Sequence, residues 1–354
     1  PFGGPASGLG PGPGPAPGDA ETSPARVPTR DRVIGSVVVI ALLAILAVTV
    51  TWRVGRADES MLVAAADRSS TSTTAADLPQ TWPVEIRPLA EFVERHRGGP
   101  FDHPVPVEYL EEDEYAAAVS ASSQLDSEED RADVEEWAAQ MRSLGLLAPG
   151  VDVEAAMSQL YGEGTLAFYD EEDDVIEVRG SNFDVAHRVT IVHELTHAWQ
   201  DQNGFVPDFD TLDDTAASTI RAVIEGDATR IENEYVDTLS SREQNQYVEQ
   251  SREQAGEVDL SGVPGVLVTG LSSAYALGEP FVSILDGQGG NREVDEALTD
   301  PPPADADLLE PMRYLEGVQP VEVAEPSVPA GAERVDGGDF GALSWLMVLS
   351  ERID

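Results

Sequence analysis

Apolar residues recur at a helical spacing along most of the chain. This spacing predicts helices at 87–97, 111–122, 127–147, 152–160, 184–202, 215–253, 263–285 and 340–349. Two short apolar runs, 164–169 and 175–178, flank the acidic turn 170–174 and predict a β-hairpin, and a further short strand is expected at 105–110. Asp184 is typical of a helix N-cap. Together these elements predict an α+β domain that is mostly helical, with a small β-hairpin or sheet before the helix 184–202.

The N-terminal part of the chain has a different composition. Residues 1–32 are rich in proline and glycine and are expected to be a disordered leader, and 53–80 are expected to be a stalk rich in serine and threonine. Between them, residues 33–52 form a run of 20 residues without a charge, which as a helix would cross a hydrocarbon core of about 30 Å. The run lacks the polar face that a buried core helix would usually show. A cleaved signal peptide is also disfavoured, because the nearest small-residue cleavage site, 64–66, lies well past the end of the run. The run therefore predicts one transmembrane helix. The folded domain is then 81–354.

Charges around this run predict its orientation. Three arginines precede it, at positions 26, 30 and 32, and Arg53 and Arg56 follow it. By the positive-inside preference, the N-terminus is expected in the cytoplasm and the folded domain outside the cytoplasm. The sequence therefore predicts a single-pass protein of the cell membrane, with the lipid bilayer as a partner through residues 33–52.

The composition narrows the chemistry. The net charge is −45, from 66 acidic residues against 21 basic residues that are all arginine. Nucleic-acid binding needs a basic surface, so this composition excludes it. The chain contains no cysteine, which excludes disulfides, thiolate nucleophiles and cysteine-bound zinc. A metal site must therefore use carboxylates and the five histidines.

Two of those histidines belong to an HExxH motif, HELTH at 193–197, inside the predicted helix 184–202. The spacing places both imidazoles on one helical face, where they can bind one ion, with Glu194 beside them to act on a bound water. Apolar positions form a core-facing stripe on the same helix, so the histidines are expected to be buried, and a metal would supply their partner. The alternative is two histidines on an amphipathic helix without a metal, since the motif also occurs by chance. His187, six residues before His193, is expected on another face and at the surface.

A catalytic zinc needs a third protein ligand and one open position. His197 is the last histidine of the chain, so the third ligand is expected to be a carboxylate on a following helix. The candidates are Asp201, Asp213, Asp214, Glu225, Asp227, Glu232 and Glu234. Glu225 is the best placed, because it lies at the margin of a buried stripe, from where it can point into a cleft. Gly226 beside it removes a side chain where two helices could approach closely.

The residues HELTHAWQDQ at 193–202 and VIEGDAT at 223–229 resemble the gluzincin zinc metallopeptidases, whose zinc is held by HExxH and a downstream glutamate. They are similar in particular to small, often membrane-anchored bacterial members with a HELTHALQDQ…EGDAT signature. The resemblance implies a zincin-like fold with its active-site core at about 164–240, and an extended substrate bound at the edge of the hairpin. It also implies site residues: zinc ligands His193, His197 and Glu225, and the general base Glu194.

Two positions depart from the family pattern. Thr229 stands where thermolysin-like enzymes have an aspartate that orients the first zinc-binding histidine, and Glu310 stands near the place of a histidine in related chains. Thr229 and Asp227 are candidates for the layer behind the zinc ligands, and Asp227 is equally well explained as a hydrogen-bonding residue between packed helices. Tyr275 is a candidate to stabilise the transition state instead of the histidine, although a tyrosine beside apolar neighbours is more often part of the core.

These observations predict a membrane-anchored zinc metalloendopeptidase with one catalytic Zn²⁺. It would hydrolyse a peptide or protein substrate with a zinc-activated water, from which Glu194 takes the proton. The alternative, motivated by Thr229 and Glu310, is a surface-exposed binding or scaffold protein that keeps the zinc, or only the fold, without turnover.

Overall fold

The computed structural model describes residues 78–122, 128–321, 323–324, 327–332 and 340–350. This part of the chain is mostly helical with one three-stranded sheet, which confirms the predicted α+β class. The strands are β1 (Val107–Leu110), β2 (Ala167–Asp170) and β3 (Val175–Arg179). The helices are α1 (Arg87–Arg97), α2 (Glu112–Ser122), α3 (Glu128–Leu144), α4 (Val153–Gly164), α5 (Val185–Gln202), α6 (Asp214–Thr238), α7 (Ser241–Glu257), α8 (Gly265–Gly289), α9 (Asn291–Thr299), α10 (Ala306–Leu309), α11 (Pro311–Leu315) and α12 (Ala342–Ser350).

The predicted membrane location needs correction. Across the described ranges, no helix is both long enough and apolar enough to cross a bilayer. This finding contradicts the single-pass location with a cytoplasmic N-terminus and an extracytoplasmic domain. The predicted leader 1–32, the run 33–52 and residues 53–77 of the predicted stalk lie outside the described residues.

The sheet has the order β1-β3-β2. The hairpin prediction is confirmed, since β2 runs antiparallel to β3, with Phe168 opposite Glu177. Strand β1 lies parallel to β3 on its other side. Strand β2 is therefore an edge strand, and one face of the sheet packs against α5.

Helix α5 is the central element of the fold. As predicted, Asp184 caps it, with its carboxylate accepting a 3.2 Å hydrogen bond from the N–H of His187, and the helix ends at Gln202. Most of its residues are buried, because it lies between the sheet and α1 on one side and α6 on the other. His187 is buried rather than at the surface, since its ring contacts Asp184 and the carbonyl of Arg179.

Helices α6 and α8 cross at two glycines. A Cβ atom on Gly226 would overlap the backbone carbonyl of Gly278, and one on Gly278 would overlap the carbonyl of Ala222. The expectation that Gly226 permits a close helix approach is confirmed. This crossing holds α6 between two apolar clusters, one shared with the sheet and α5 and one shared with α8 and α9.

The predicted helical region 215–253 is divided into α6 and α7. Ser240 and Glu243 form a capping box that starts α7, with reciprocal side-chain and backbone hydrogen bonds. The turn allows α7 to fold back, so that Tyr247 packs beside the core formed by α5 and the sheet. Helices α9, α10 and α11 were not predicted, and the last two are only four and five residues long.

Candidate metal site and its surroundings

Three side chains from α5 and α6 converge on one point. Nε2 of His193 lies 3.4 Å from Oε2 of Glu225, and Nε2 of His197 lies 3.5 Å from the same oxygen. All three atoms are buried, and none has a hydrogen-bond partner among the described residues. They form a group that could hold a metal ion. The HExxH spacing supplies two donors from one face of α5, and the Gly226–Gly278 crossing brings the third donor from α6.

The structure separates Glu225 from the other six candidate ligands. Glu232 contacts the opposite nitrogen of His193, and Asp227 binds arginines and Gln200. Asp201 accepts a hydrogen bond from the hydroxyl of Tyr169, and Glu234 pairs with Arg230. Asp213 caps α6 and Asp214 lies in its first turn. Within the described residues, no second group of three such ligands forms, including at the acidic turn between β2 and β3.

The charges of the metal-free site are strongly coupled. Burial works to lower the pKa of His193, but the nearby carboxylates of Glu225 and Glu232 outweigh it and raise this pKa to about 10. Burial works to raise the pKa of Glu225, but the imidazoles of His197 and His193 hold it at about 2. In the absence of a metal, His193 therefore carries the proton and Glu225 the negative charge. A cation can replace that proton, which makes metal binding dependent on pH.

Glu194 lies beside the three ligands without joining them. Its Oε2 accepts a 3.0 Å hydrogen bond from the backbone N–H of Tyr169 in β2, and its Oε1 is buried without a partner among the described residues. Burial raises its pKa to about 7, although the two nearby imidazoles oppose the shift. A carboxyl group with a pKa near neutrality is suited to proton transfer as a general base.

The rear nitrogen of His193 has a partner. Its Nδ1 lies 3.0 Å from Oε2 of Glu232, two turns after Glu225 on α6. The other oxygen of Glu232 accepts a 2.8 Å hydrogen bond from the hydroxyl of Tyr247 on α7. Thr229 is buried on the turn between Glu225 and Glu232, but the contact to His193 is made by Glu232.

A second polar network lies behind His197. Its Nδ1 lies 3.0 Å from Oε1 of Gln200, whose amide nitrogen donates to Oδ2 of Asp227 at 2.9 Å. Asp227 is fully buried and pairs with Arg97 at 3.1 Å and with Arg230 at 2.9 Å. Both interpretations of Asp227 therefore have a structural basis, because it reaches His197 through Gln200 and also bonds between packed helices.

The site is covered. His193 and Glu194 are fully buried, and His197 and Glu225 are no more than 4% exposed. The ring of Tyr275 on α8 stacks over His193 at a centroid distance of 6.4 Å, and Tyr275 shares an apolar cluster with Tyr115 and Phe168. Tyr275 is thus both near the site and part of the core. Glu310 is exposed at the junction of α10 and α11, where it caps α10.

Sequence reasoning did not identify Glu232 and Gln200 as partners of the site histidines. Their spacing could have indicated both. Glu232 is seven residues after Glu225, on the same face of α6, and Gln200 is three residues after His197. The large number of acidic residues hid the first signal. The second was hidden because a glutamine beside a histidine on a helix usually faces solvent.

Comparisons with known proteins give no match: the chain matches no family model, no curated protein and no solved structure. The gluzincin resemblance therefore rests on the sequence motifs alone.

Proposed function

We propose that this chain is a zinc-dependent metalloendopeptidase of the gluzincin type, with a zincin-like active-site core. The observation that carries the proposal is the convergence of three buried ligand atoms that have no hydrogen-bond partner among the described residues, beside a second carboxylate, Glu194, that is held apart from them. A buried polar atom without a partner is costly, so three of them at one point indicate a ligand that the protein was built to hold.

The donor set fits zinc. Ligand atoms about 2.0–2.1 Å from a tetrahedral ion lie roughly 3.4 Å from one another, and the two nitrogen-to-oxygen distances here are 3.4 and 3.5 Å. Two imidazoles and one carboxylate leave one coordination position open, which is the pattern of catalytic rather than structural zinc. The same donor set also suits iron in non-haem sites, so the metal must be identified by experiment.

Each protein group has a distinct role in this proposal. Zinc, when bound, would polarise the scissile carbonyl and favour ionisation of a water. Oε1 of Glu194, which has no hydrogen-bond partner in the part of the chain that the structure describes, would accept the proton and pass it to the leaving nitrogen. The Tyr169 N–H fixes the other oxygen of that carboxylate.

The edge of β2 supports an extended peptide as the substrate. β2 pairs only with β3 among the described strands, so its outer edge can take up another strand. The Tyr169 N–H of this strand donates to Glu194, so the strand runs past the general base. A peptide added there would lie next to the general base.

A binding or scaffold protein without turnover is the second candidate. The burial of all four site residues favours it, because a substrate cannot reach Glu194 unless the side chains that bury it move. In this case the metal would stabilise the packing of α5 against α6.

One experiment separates the two candidates. The full chain is purified, its metal content is determined by mass spectrometry, and cleavage of an unstructured protein is compared with that by Glu194→Gln. We expect one equivalent of zinc in both proteins, and activity only in the parent, because an amide cannot accept the proton. The exposed Glu91→Gln variant is the matched control and should keep full activity.

Each outcome has a clear meaning. Zinc without activity in the parent would favour the scaffold protein, and iron instead of zinc would redirect the chemistry. Activity that survives in Glu194→Gln would remove Glu194 as the base. A chain that binds no metal would contradict both candidates in their metal-dependent form.

A further inference from the structure

The buried carboxylate of Glu232 is not used in the proposed reaction, although its position is well defined. It is only 6% exposed, and both of its oxygens are engaged: Oε2 with Nδ1 of His193 and Oε1 with the hydroxyl of Tyr247. A buried carboxylate costs free energy unless it is fully hydrogen-bonded. Its position beside a proposed metal ligand points to a role at the site.

Glu232 cannot share a metal with Glu225. The two nitrogens of an imidazole point away from each other, and His193 directs Nε2 to Glu225 and Nδ1 to Glu232. Glu232 therefore lies behind the ring. A carboxylate there accepts a hydrogen bond from Nδ1–H, which keeps the proton on Nδ1, leaves the Nε2 lone pair facing the metal position and makes Nε2 a stronger metal ligand.

Two helices hold Glu232 in place. Its own helix, α6, also carries Glu225 two turns earlier, so one helical face presents a carboxylate to each nitrogen of His193. Tyr247 comes from α7, where it is buried and donates its hydroxyl proton to Glu232 at 2.8 Å. The capping box at Ser240 and Glu243 fixes the start of α7, and so fixes where Tyr247 lies.

We propose that Glu232 is a positioning residue that sets the tautomer and orientation of His193 for metal binding, and that Tyr247 holds Glu232 in that position. This inference rests on the metal-binding part of the proposed function and does not require that the protein cleave peptides. It also explains how Thr229 can stand one turn after Glu225 without leaving His193 unsupported.

The test measures metal affinity rather than activity. Zinc affinity of the full chain is determined by competition with a chromogenic chelator for the parent, Glu232→Ala, Glu232→Gln and Tyr247→Phe. We expect Glu232→Ala to lose about 10- to 100-fold in affinity. Glu232→Gln should lose less, because its amide oxygen can still accept a hydrogen bond from Nδ1–H, and Tyr247→Phe should lose least. The control is Glu234→Gln, on the same helix, whose carboxylate pairs with Arg230 and not with His193.

A spectroscopic measurement distinguishes positioning from a purely structural role. In the cobalt-substituted protein, the visible absorption bands report the ligand field, and we expect them to change in Glu232→Ala and Glu232→Gln but not in Glu234→Gln. Thermal unfolding of the metal-free proteins measures any general loss of stability. If Glu232→Ala does not fold, the Gln and Tyr247→Phe variants carry the test.

The outcomes separate this inference from the proposed function. Wild-type affinity and spectra in all three variants would overturn the role of Glu232, even if the parent is an active peptidase. A parent that binds zinc but cleaves nothing would overturn the peptidase proposal and leave the affinity test valid. A parent that binds no metal would overturn both.

Discussion

The backbone N–H of Tyr169 donates a 3.0 Å hydrogen bond to Oε2 of Glu194. This bond joins the edge strand β2 to the helix that carries HExxH. Among the described residues Oε1 has no partner, so it is the oxygen of Glu194 that can accept a proton. The position of the proposed base therefore depends on the sheet as well as on its own helix.

Shortening the side chain of Glu194 tests whether its bond to the Tyr169 N–H positions the base. Glu194→Asp keeps the carboxylate but lacks one methylene, so it cannot both hold the Tyr169 N–H and reach the same position. Misplacement of about 1 Å can lower a rate by about 10²-fold, and we expect a loss of that order in kcat/KM with unchanged zinc content. Steady-state kinetics and metal analysis provide the measurement. An Asp variant with parental activity would show that the Tyr169 bond does not position the base.

A larger residue at the Gly226–Gly278 crossing of α6 and α8 should destabilise the fold. Gly226→Ala places a methyl group against the carbonyl of Gly278, and overpacking of this kind typically costs about 1–3 kcal/mol. We also expect weaker zinc binding, because Glu225 is the adjacent residue. Gly256→Ala on α7 is the matched control, since a Cβ there meets nothing within 4 Å, and it should leave stability unchanged or slightly raised. Urea unfolding of the three proteins compares them, and equal midpoints for Gly226→Ala and the parent would contradict the crossing.

The carboxyl group of Glu177 should make the stability of the protein depend on pH. Its Oε2 is buried without a partner in the described ranges, and burial, with added repulsion from Asp170 and Glu108, raises its pKa from 4.5 to about 7. Between these two values the unfolded chain releases the proton while the folded chain keeps it, so this group lowers stability as the pH rises. The loss is complete above about pH 7 and absent below about pH 4.5.

Glu177→Gln should remove this contribution. We expect the variant to be more stable than the parent at about pH 8, with an advantage that shrinks as the pH falls toward 4.5. Denaturant unfolding at several pH values, with a chelator present throughout, gives the comparison, and Glu91→Gln on an exposed face of α1 serves as the reference. An advantage that is the same at every pH would rule out ionisation of Glu177 as its source.

The Tyr115 side chain should control how fast a chelator can reach the metal site. Its ring is fully buried against Phe168, and its hydroxyl bonds to Oγ1 of Thr165 at 2.7 Å. Tyr115→Ala should raise the rate at which a chelator removes zinc by at least about tenfold, which corresponds to about 1.4 kcal/mol in the opening equilibrium. Tyr115→Phe keeps the ring and loses only the hydroxyl bond, so its effect should be smaller. Stopped-flow measurement with a chromogenic chelator reports this rate, and equal rates in all three proteins would show that zinc leaves by another route.

The sequence predicted those elements whose causes are local. The capped helix 184–202 was predicted almost to the residue and the hairpin to within three residues, because an Asp at the N-cap and alternating apolar residues act within a few positions. The break between α6 and α7 was missed, although Ser240 and Glu243 carry the capping-box spacing. A long helical pattern on both sides of the break outweighed that short signal.

The site was predictable in part for the same reason. The HExxH spacing places His193 and His197 on one face of a single helix, whatever the rest of the fold does. Seven carboxylates were candidates for the third ligand, and only the packing of α5 against α6 shows that Glu225 is the one beside the two histidines. The orienting role of Glu232 depends on which side of the His193 ring it approaches, and that is a tertiary relationship that no sequence period specifies.

The arrangement of the site also bears on the order in which the chain can fold. The three proposed ligands, Glu232 and Tyr247 all lie between residues 193 and 247, so their contacts close only short loops, which costs little chain entropy. Tyr115 lies 78 residues before His193, and contacts of long sequence separation form slowly. We therefore expect the metal ligands to assemble before their cover closes, so that an ion can enter during folding at a position that is shut off once the fold is complete.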